Sequence, residues 1–301
     1  GRWPAAIGLI AFAWLELVSV NRDDPSLLAV LMLAYAAIQL VGMSLYGVDP
    51  WLRNGDAFGA WFGLVARMAP LHWRDRALAV RRPLAGLPSL QPRAGTVALV
   101  CVSIGVTAFD GLSQGRLWND VAPELQRVFI DIGLSASTSL QLAFTIGLLL
   151  AIAMVFGFYR AGVAGMPSPA PGVDARELGR RFAHTLVPIA FAYVVAHYFS
   201  LLAFQGQAMA YLVSDPLGDG SDLLGTADAA IDYRWLSSTA VQYIQVAALI
   251  AGHVAGLALA HDRAIALYRD RKEATRSQYW MLVVMIAFTG LGMWLLSEAA
   301  Q

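Results

Sequence analysis

The chain has 301 residues, of which 58% are hydrophobic and only 14% are charged, and its formal net charge is +0. A soluble domain carries about a quarter charged residues, so the composition excludes an ordinary water-soluble fold, and the charge balance excludes a nucleic-acid partner gripped by a basic surface. A single cysteine, Cys101, excludes an internal disulfide or a cysteine-built metal cluster within one chain.

The charges cluster between long apolar runs, near 4–20, 25–47, 95–110, 138–159, 181–212, 235–260 and 279–297. At a rise of about 1.5 Å per residue, roughly 20 residues cross a hydrocarbon core of about 30 Å. The runs therefore predict an all-α, polytopic transmembrane bundle of about seven spans, with the lipid bilayer as its first partner. The first and third runs are short and are expected to draw on flanking residues or on a locally thinner bilayer. The chain opens Gly1-Arg2-Trp3-Pro4 without an initiator Met, and is expected to be a fragment with further helices upstream.

Residues 55–71 (GDAFGAWFGLVARMAPL) are apolar but short, interrupted by glycine and marked by Asp56 and Arg67. They predict an interfacial or re-entrant helix rather than a span. Three connections are basic. They carry Arg74, Arg76, Arg81, Arg82 and Arg93, then Arg160, Arg176, Arg180 and Arg181, then Arg263, Arg269, Arg271, Lys272 and Arg276. They alternate with acidic connections holding Asp110, Asp120, Glu124 and Asp131, and then Asp215, Asp219, Asp222, Asp228 and Asp232. Basic loops stay on the cytoplasmic side, so the N-terminal end of the chain is expected inside and the C-terminal end outside. Lys272 is the only lysine, a usage that suits a GC-rich bacterial genome and hence a bacterial plasma membrane. Pro167, Pro169 and Pro171 mark a cytoplasmic linker over 161–180. It separates a first membrane half, 1–160 (spans one to four with segment 55–71), from a second, 181–301 (spans five to seven).

Polar residues inside the runs give the candidate site. In the sixth span Gln242, Gln245, Gly252, His253, Gly256 and Ala260 fall within roughly 100° of one another. That stripe fits either close helix packing over the small residues or a polar wall. The fifth span places Tyr193, His197 and Ser200 on one face, with Pro188 expected to kink it. The third lines up Thr96, Ser103, Thr107 and Asp110. Counting the rise puts His197 and Gln245 at one level, with Ser200, Gln242 and Thr107 slightly nearer the outer surface and Asp110 at the mouth. His253 falls about 13 Å lower by the same count, toward His184. Glu16 is the only carboxylate deep in an apolar run. At such depth it is either a functional group or a protonated, hydrogen-bonded one. His261 and Asp262 close the sixth span at the cytoplasmic interface, as anchors or as an oriented base.

No H-E-x-x-H, P-loop or strand-linked G-x-G-x-x-G motif is present. The residues alone require no cofactor. They predict a polar intramembrane cavity bounded by spans three, five and six that binds or transports a small solute or ion. The small-residue face of the sixth span also suits a scaffold subunit that meets other membrane subunits.

The stretches YGVDPWLRNGDAFGAWFGLVARMAPL (46–71), TAFDGLSQGRLW (107–118), HYFSLLAFQGQ (197–207), DPLGDGSDLLGTAD (215–228) and GHVAGLALAHDRAIALY (252–268) resemble a group of actinobacterial polytopic membrane proteins commonly labelled fenitrothion hydrolase. The resemblance spans most of the chain. It implies hydrolysis of an organophosphorus ester in the membrane, for which a metal-bound hydroxide would be the natural nucleophile. Asp110, His197 and Glu16 would be its outer-side ligand candidates, and His184, His253, His261 and Asp262 its inner-side ones. A metal ion is implied only on this alternative.

Overall fold

The computed structural model describes residues 1–74, 77–91 and 93–299. It is an all-α bundle: α1 (Trp3–Leu17), α2 (Pro25–Tyr46), α3 (Val48–Asn54), α4 (Ala57–Val65), α5 (Thr96–Gln114), α6 (Arg116–Asp131), α7 (Ala136–Ala164), α8 (Ala175–Phe182), α9 (Leu186–Phe204), α10 (Met209–Ser214), α11 (Ser238–Leu267) and α12 (Arg271–Ala299). Short 3-10 turns, Ala183–Thr185 and Gln205–Ala208, join α8, α9 and α10 into one continuous rod. Among the described residues six helices are long and apolar enough to cross a membrane: α2, α5, α7, the α8–α10 rod, α11 and α12. The protein is therefore a multi-pass integral membrane protein. The first expected span is the shorter α1, 15 residues long, because the chain turns at Val18–Asp23 instead of continuing to residue 20.

Short polar side chains start the helices. Asp24, Asp56, Ser135, Asp174 and Ser237 each occupy an N-cap and accept hydrogen bonds from backbone N–H groups of the first turn. Each such cap contributes about 1 kcal/mol by satisfying donors that the helix itself leaves free. Pro25 follows its cap at the first helical position, where its missing N–H costs nothing.

Three elements depart from the sequence reading. The stretch after span three is not a loop but α6, a polar surface helix that buries Trp118 and Ala122, four residues apart, against α7. The Trp118 ring stands edge-on to Phe109 and Phe144 and occupies space beside Gly147, where a Cβ would come within 2.8 Å of its Cζ2. Segment 55–71 becomes α4, a 3-10 turn and the first residue of a two-stranded hairpin, β1 (Leu71–Arg74) with β2 (Ala77–Val80), in antiparallel register Leu71 opposite Val80. Arg76 of the first basic connection lies outside the described residues. The kink expected at Pro188 is instead the 3-10 turn just before it; Pro188 sits in the first turn of α9, where proline is tolerated.

One apolar core draws on α1, α4, α5, α7, α9, α11 and α12, so the two halves of the sequence pack as one body. The expected linker narrows to 165–174 between α7 and α8. Helices α9 and α11 pack extensively on each other. Cβ atoms at Gly252 and Gly256 would come within 2.9 Å of the Pro188 carbonyl and 2.8 Å of the Thr185 carbonyl, so only glycine allows this approach.

The three basic connections meet at one end of the bundle. Arg263 donates to the Pro88 carbonyl (2.8 Å), and Tyr268 donates to that of Pro167 (2.5 Å). Arg81 caps the end of α4 and its 3-10 turn through the carbonyls of Ala66, Arg67 and Ala69, and Arg93 donates to Asn54 Oδ1 (2.7 Å). Segment 48–68 thus enters and leaves at this end, as a re-entrant or interfacial element must. Buried Arg2 donates to Thr96 Oγ1 (2.6 Å) and to the Arg53 carbonyl. Burial, with Arg93 and Arg67 nearby, pushes its guanidinium down to about 10, still charged at neutral pH. The acidic connections lie at the opposite end.

Candidate functional site

A cavity of about 710 Å³ opens at the acidic end between α9, α11, α12 and the close of α5. Its polar lining includes His197 and Gln245, which the sequence places at one level, and Ser200 and Gln242, which it places slightly nearer the outer surface. Ser238 and Thr239 from the start of α11, Ser297 of α12 and Tyr233 of the preceding loop complete it. A second void of about 360 Å³ adjoins it, lined by Asp110, Tyr198 and Gln205, and shares Gln114, His197, Ser200, Phe204 and Tyr233 with the first.

His197 forms the wall between the two voids. Its Nε2 lies 2.8 Å from Asp110 Oδ2, and Tyr198 OH donates to the same oxygen at 3.0 Å. Gln114 Nε2 donates to Asp110 Oδ1 at 3.2 Å. Three donors on one largely buried carboxylate are what an ionised group needs to remain at this depth. The His197 and Asp110 side chains are 12% and 13% exposed, so the pair is shielded yet borders water-accessible space. With Nε2–H committed to Asp110, His197 Nδ1 is the ring nitrogen left for a solute, and it makes no hydrogen bond among the described residues. Glu16, in the last turn of α1, is exposed and lies within electrostatic reach of Asp110, His197 and Tyr198. The polar cluster thus spans α1, α5 and α9.

The remaining candidates lie elsewhere. Thr107 is buried and donates to the Ser103 carbonyl (3.1 Å). Tyr193, one turn before His197, lines a separate apolar cavity with His253. His184 is buried against the carbonyl of Arg181, while His261 is exposed beside Gln278 Oε1 and Asp262 is exposed. The four inner-side candidates therefore do not converge. No group of three His, Cys, Asp or Glu side chains with metal-holding geometry occurs among the described residues.

The sequence reading missed Gln114, Tyr198 and the α12 contribution. Gln114 follows Asp110 by four residues on the same helical face, a spacing that signals the contact. Tyr198 neighbours His197 in sequence, so helical periodicity places it about 100° away; only the crossing of α5 and α9 brings both rings onto one oxygen.

Below the large cavity, the Gly252 and Gly256 contacts close α11 onto α9, so polar access ends within the bundle. No protein-family model, curated protein or solved structure matches this chain.

Proposed function

We propose that the protein binds a small polar solute from the outer face of a bacterial plasma membrane and passes it inward, the Asp110–His197 pair being the recognition element. The observation that carries this reading is a cavity lined by amide and hydroxyl groups and open at one end, with a hydrogen-bonded carboxylate–imidazole pair in its wall. Its residues offer both donors and acceptors around one fixed charge, which suits an uncharged or singly charged solute. The acidic end is assigned to the outside because the arginines gather at the other. The glycine contact between α9 and α11 would be the inner gate, and transport would require these helices to separate.

Cysteine accessibility tests the cavity, since the native Cys101 is buried and contributes little background. Gln245→Cys in proteoliposomes should react with a membrane-impermeant thiol reagent applied on one side only. Stopped-flow light scattering should show that the vesicles are permeable to glycerol or urea, and less so with His197→Ala. An unreactive Gln245→Cys together with permeability equal to empty liposomes would remove the proposal.

The resemblance to proteins labelled fenitrothion hydrolase motivates a second reading, supported by the same pair. An imidazole held at one nitrogen by a carboxylate, its other nitrogen free for solvent, is the arrangement of a general base. On this reading His197 would activate water, with Asp110 orienting it. Release of the nitrophenolate from fenitrothion by purified protein, lost in His197→Ala, is the discriminating measurement. Absence of release from folded wild-type protein removes this second reading.

A further inference from the structure

A third cavity, of about 110 Å³, lies deeper in the bundle among α5, α6, α7, α9, α11 and α12. Its lining is apolar apart from the heteroatoms of Met154, Tyr193, His253 and Trp294; Tyr193 and His253 are 5% and 6% exposed. His253 Nδ1 lies 2.8 Å from the Leu249 carbonyl. A carbonyl only accepts, so Nδ1 must carry a proton, and neutral imidazole then holds its lone pair on Nε2. That Nε2 is buried and has no hydrogen-bond partner. An acceptor buried without a partner costs about 1–3 kcal/mol, and native structures rarely retain one. A water there would find few partners, whereas a stable buried water typically makes about three hydrogen bonds.

The cavity also has a side door. Leu117, Met154 and Trp294 line it and are themselves exposed on the bundle surface, where a spanning protein meets acyl chains. Met154 and Trp294 stand on the spanning helices α7 and α12, so entry from the bilayer is expected. Apolar cavities of about 150 Å³ admit a benzene ring, and the space here approaches that size with one open flank. Phe288 adds an aromatic wall, its ring centroid 6.1 Å from that of His253.

We propose that this cavity binds a membrane-dissolved molecule with a single hydroxylated aromatic ring, its hydroxyl donating to His253 Nε2 and its apolar remainder trailing toward the lipid through the Met154–Trp294 opening. Tyr193 lines the same cavity. The site is independent of the polar cavity and takes a different chemical class.

The test uses the full chain, labelled with ¹⁵N-histidine and reconstituted in nanodiscs. Two probes, 4-propylphenol and propylbenzene, are compared at equal concentration in the bilayer. The phenol should move one histidine Nε2 resonance saturably, with an apparent affinity about tenfold tighter than that of propylbenzene measured by competition, as one buried hydrogen bond predicts. His253→Leu should abolish that resonance and the preference for the phenol. Gly292→Val fills the cavity from α12 without touching the histidine; a Cβ there meets only the Leu249 methyls, at 3.5 Å or more. It should block the response while leaving the His253 resonance in place. Equal affinity for the two probes in wild-type protein, or a phenol response unchanged by Gly292→Val, overturns the proposal. The wild-type comparison decides even where a variant does not fold.

Discussion

Asp110→Asn is the most informative single change, because it keeps the shape of the side chain and removes only its charge. The carboxylate accepts three hydrogen bonds, from His197, Tyr198 and Gln114. A hydrogen bond to a charged group contributes about 1.5–3 kcal/mol and one between neutral groups about 0.5–1.5. Asparagine can keep its carbonyl oxygen on His197 and Tyr198, and the Gln114 amide can rotate to accept from the new NH₂. Losing about 1 kcal/mol on each of the two short bonds makes the expected destabilisation about 2 kcal/mol. Asp110→Ala removes all three partners, but the adjoining cavities let water reach the orphaned groups, so the loss should stay near 3–4 kcal/mol. Equilibrium unfolding in mixed micelles measures both. A double-mutant cycle with His197→Gln should give a coupling of at least about 1 kcal/mol. An Asp110→Asn protein within about 0.5 kcal/mol of wild type, with no coupling to His197, would refute the reasoning that an ionised, triply bonded carboxylate holds α5 to α9.

Gly256→Val should cost about 1–3 kcal/mol by overpacking, since even a Cβ would lie 2.8 Å from the Thr185 carbonyl and 3.0 Å from Ile189 Cδ1; the same unfolding assay reads it. Trp51→Ala should loosen α2 by about 2 kcal/mol, because the indole stacks on Tyr46 at 5.6 Å and donates to Gln39 Oε1 at 2.7 Å, and cleavage by added protease near residues 47–55 should accelerate. In the loop after α10, Asp222 accepts from Ser214 Oγ (2.6 Å) and the Ala227 N–H (3.0 Å), which holds its carboxyl below the ordinary carboxylate range. A depressed folded-state value means that the loop contacts persist as pH falls through the ordinary range and are lost only below it. Proteolysis of 215–232 by an acid-active protease should therefore rise only below about pH 3.8, the ordinary Asp value, and should rise at higher pH in Ser214→Ala.

What the sequence revealed follows from what lipid enforces. Each long apolar run had to become a helix because no unpaired backbone survives in hydrocarbon, and every run did. The α6 segment was illegible for the converse reason: it is polar, it lies at the bundle end, and Trp118 and Ala122 are the residues it buries. Within the site, helical periodicity was enough to group Ser200 with His197, and Gln242 with Gln245, and rise along the axis matched their depth. Tyr193 shares a face with His197 but sits one turn deeper, where the surroundings change from polar to apolar. Periodicity reports the face of a helix and not what stands opposite it, so the bond between Asp110 and His197 became visible only with the crossing of α5 and α9.

The second helix has an unusual place in this molecule. Only 6% of the apolar window of α2 is buried, and its extensive packing is with the seven-residue α3, reinforced by Tyr35 on Asp56 and Gln39 beneath the Trp51 indole. In a bilayer, acyl chains or another membrane helix cover the face that it leaves open. With so little of it packed on the core, its tilt is free to follow bilayer thickness. Because Asp56 also caps α4, a change in lipid thickness has a mechanical route from that outlying helix into α4.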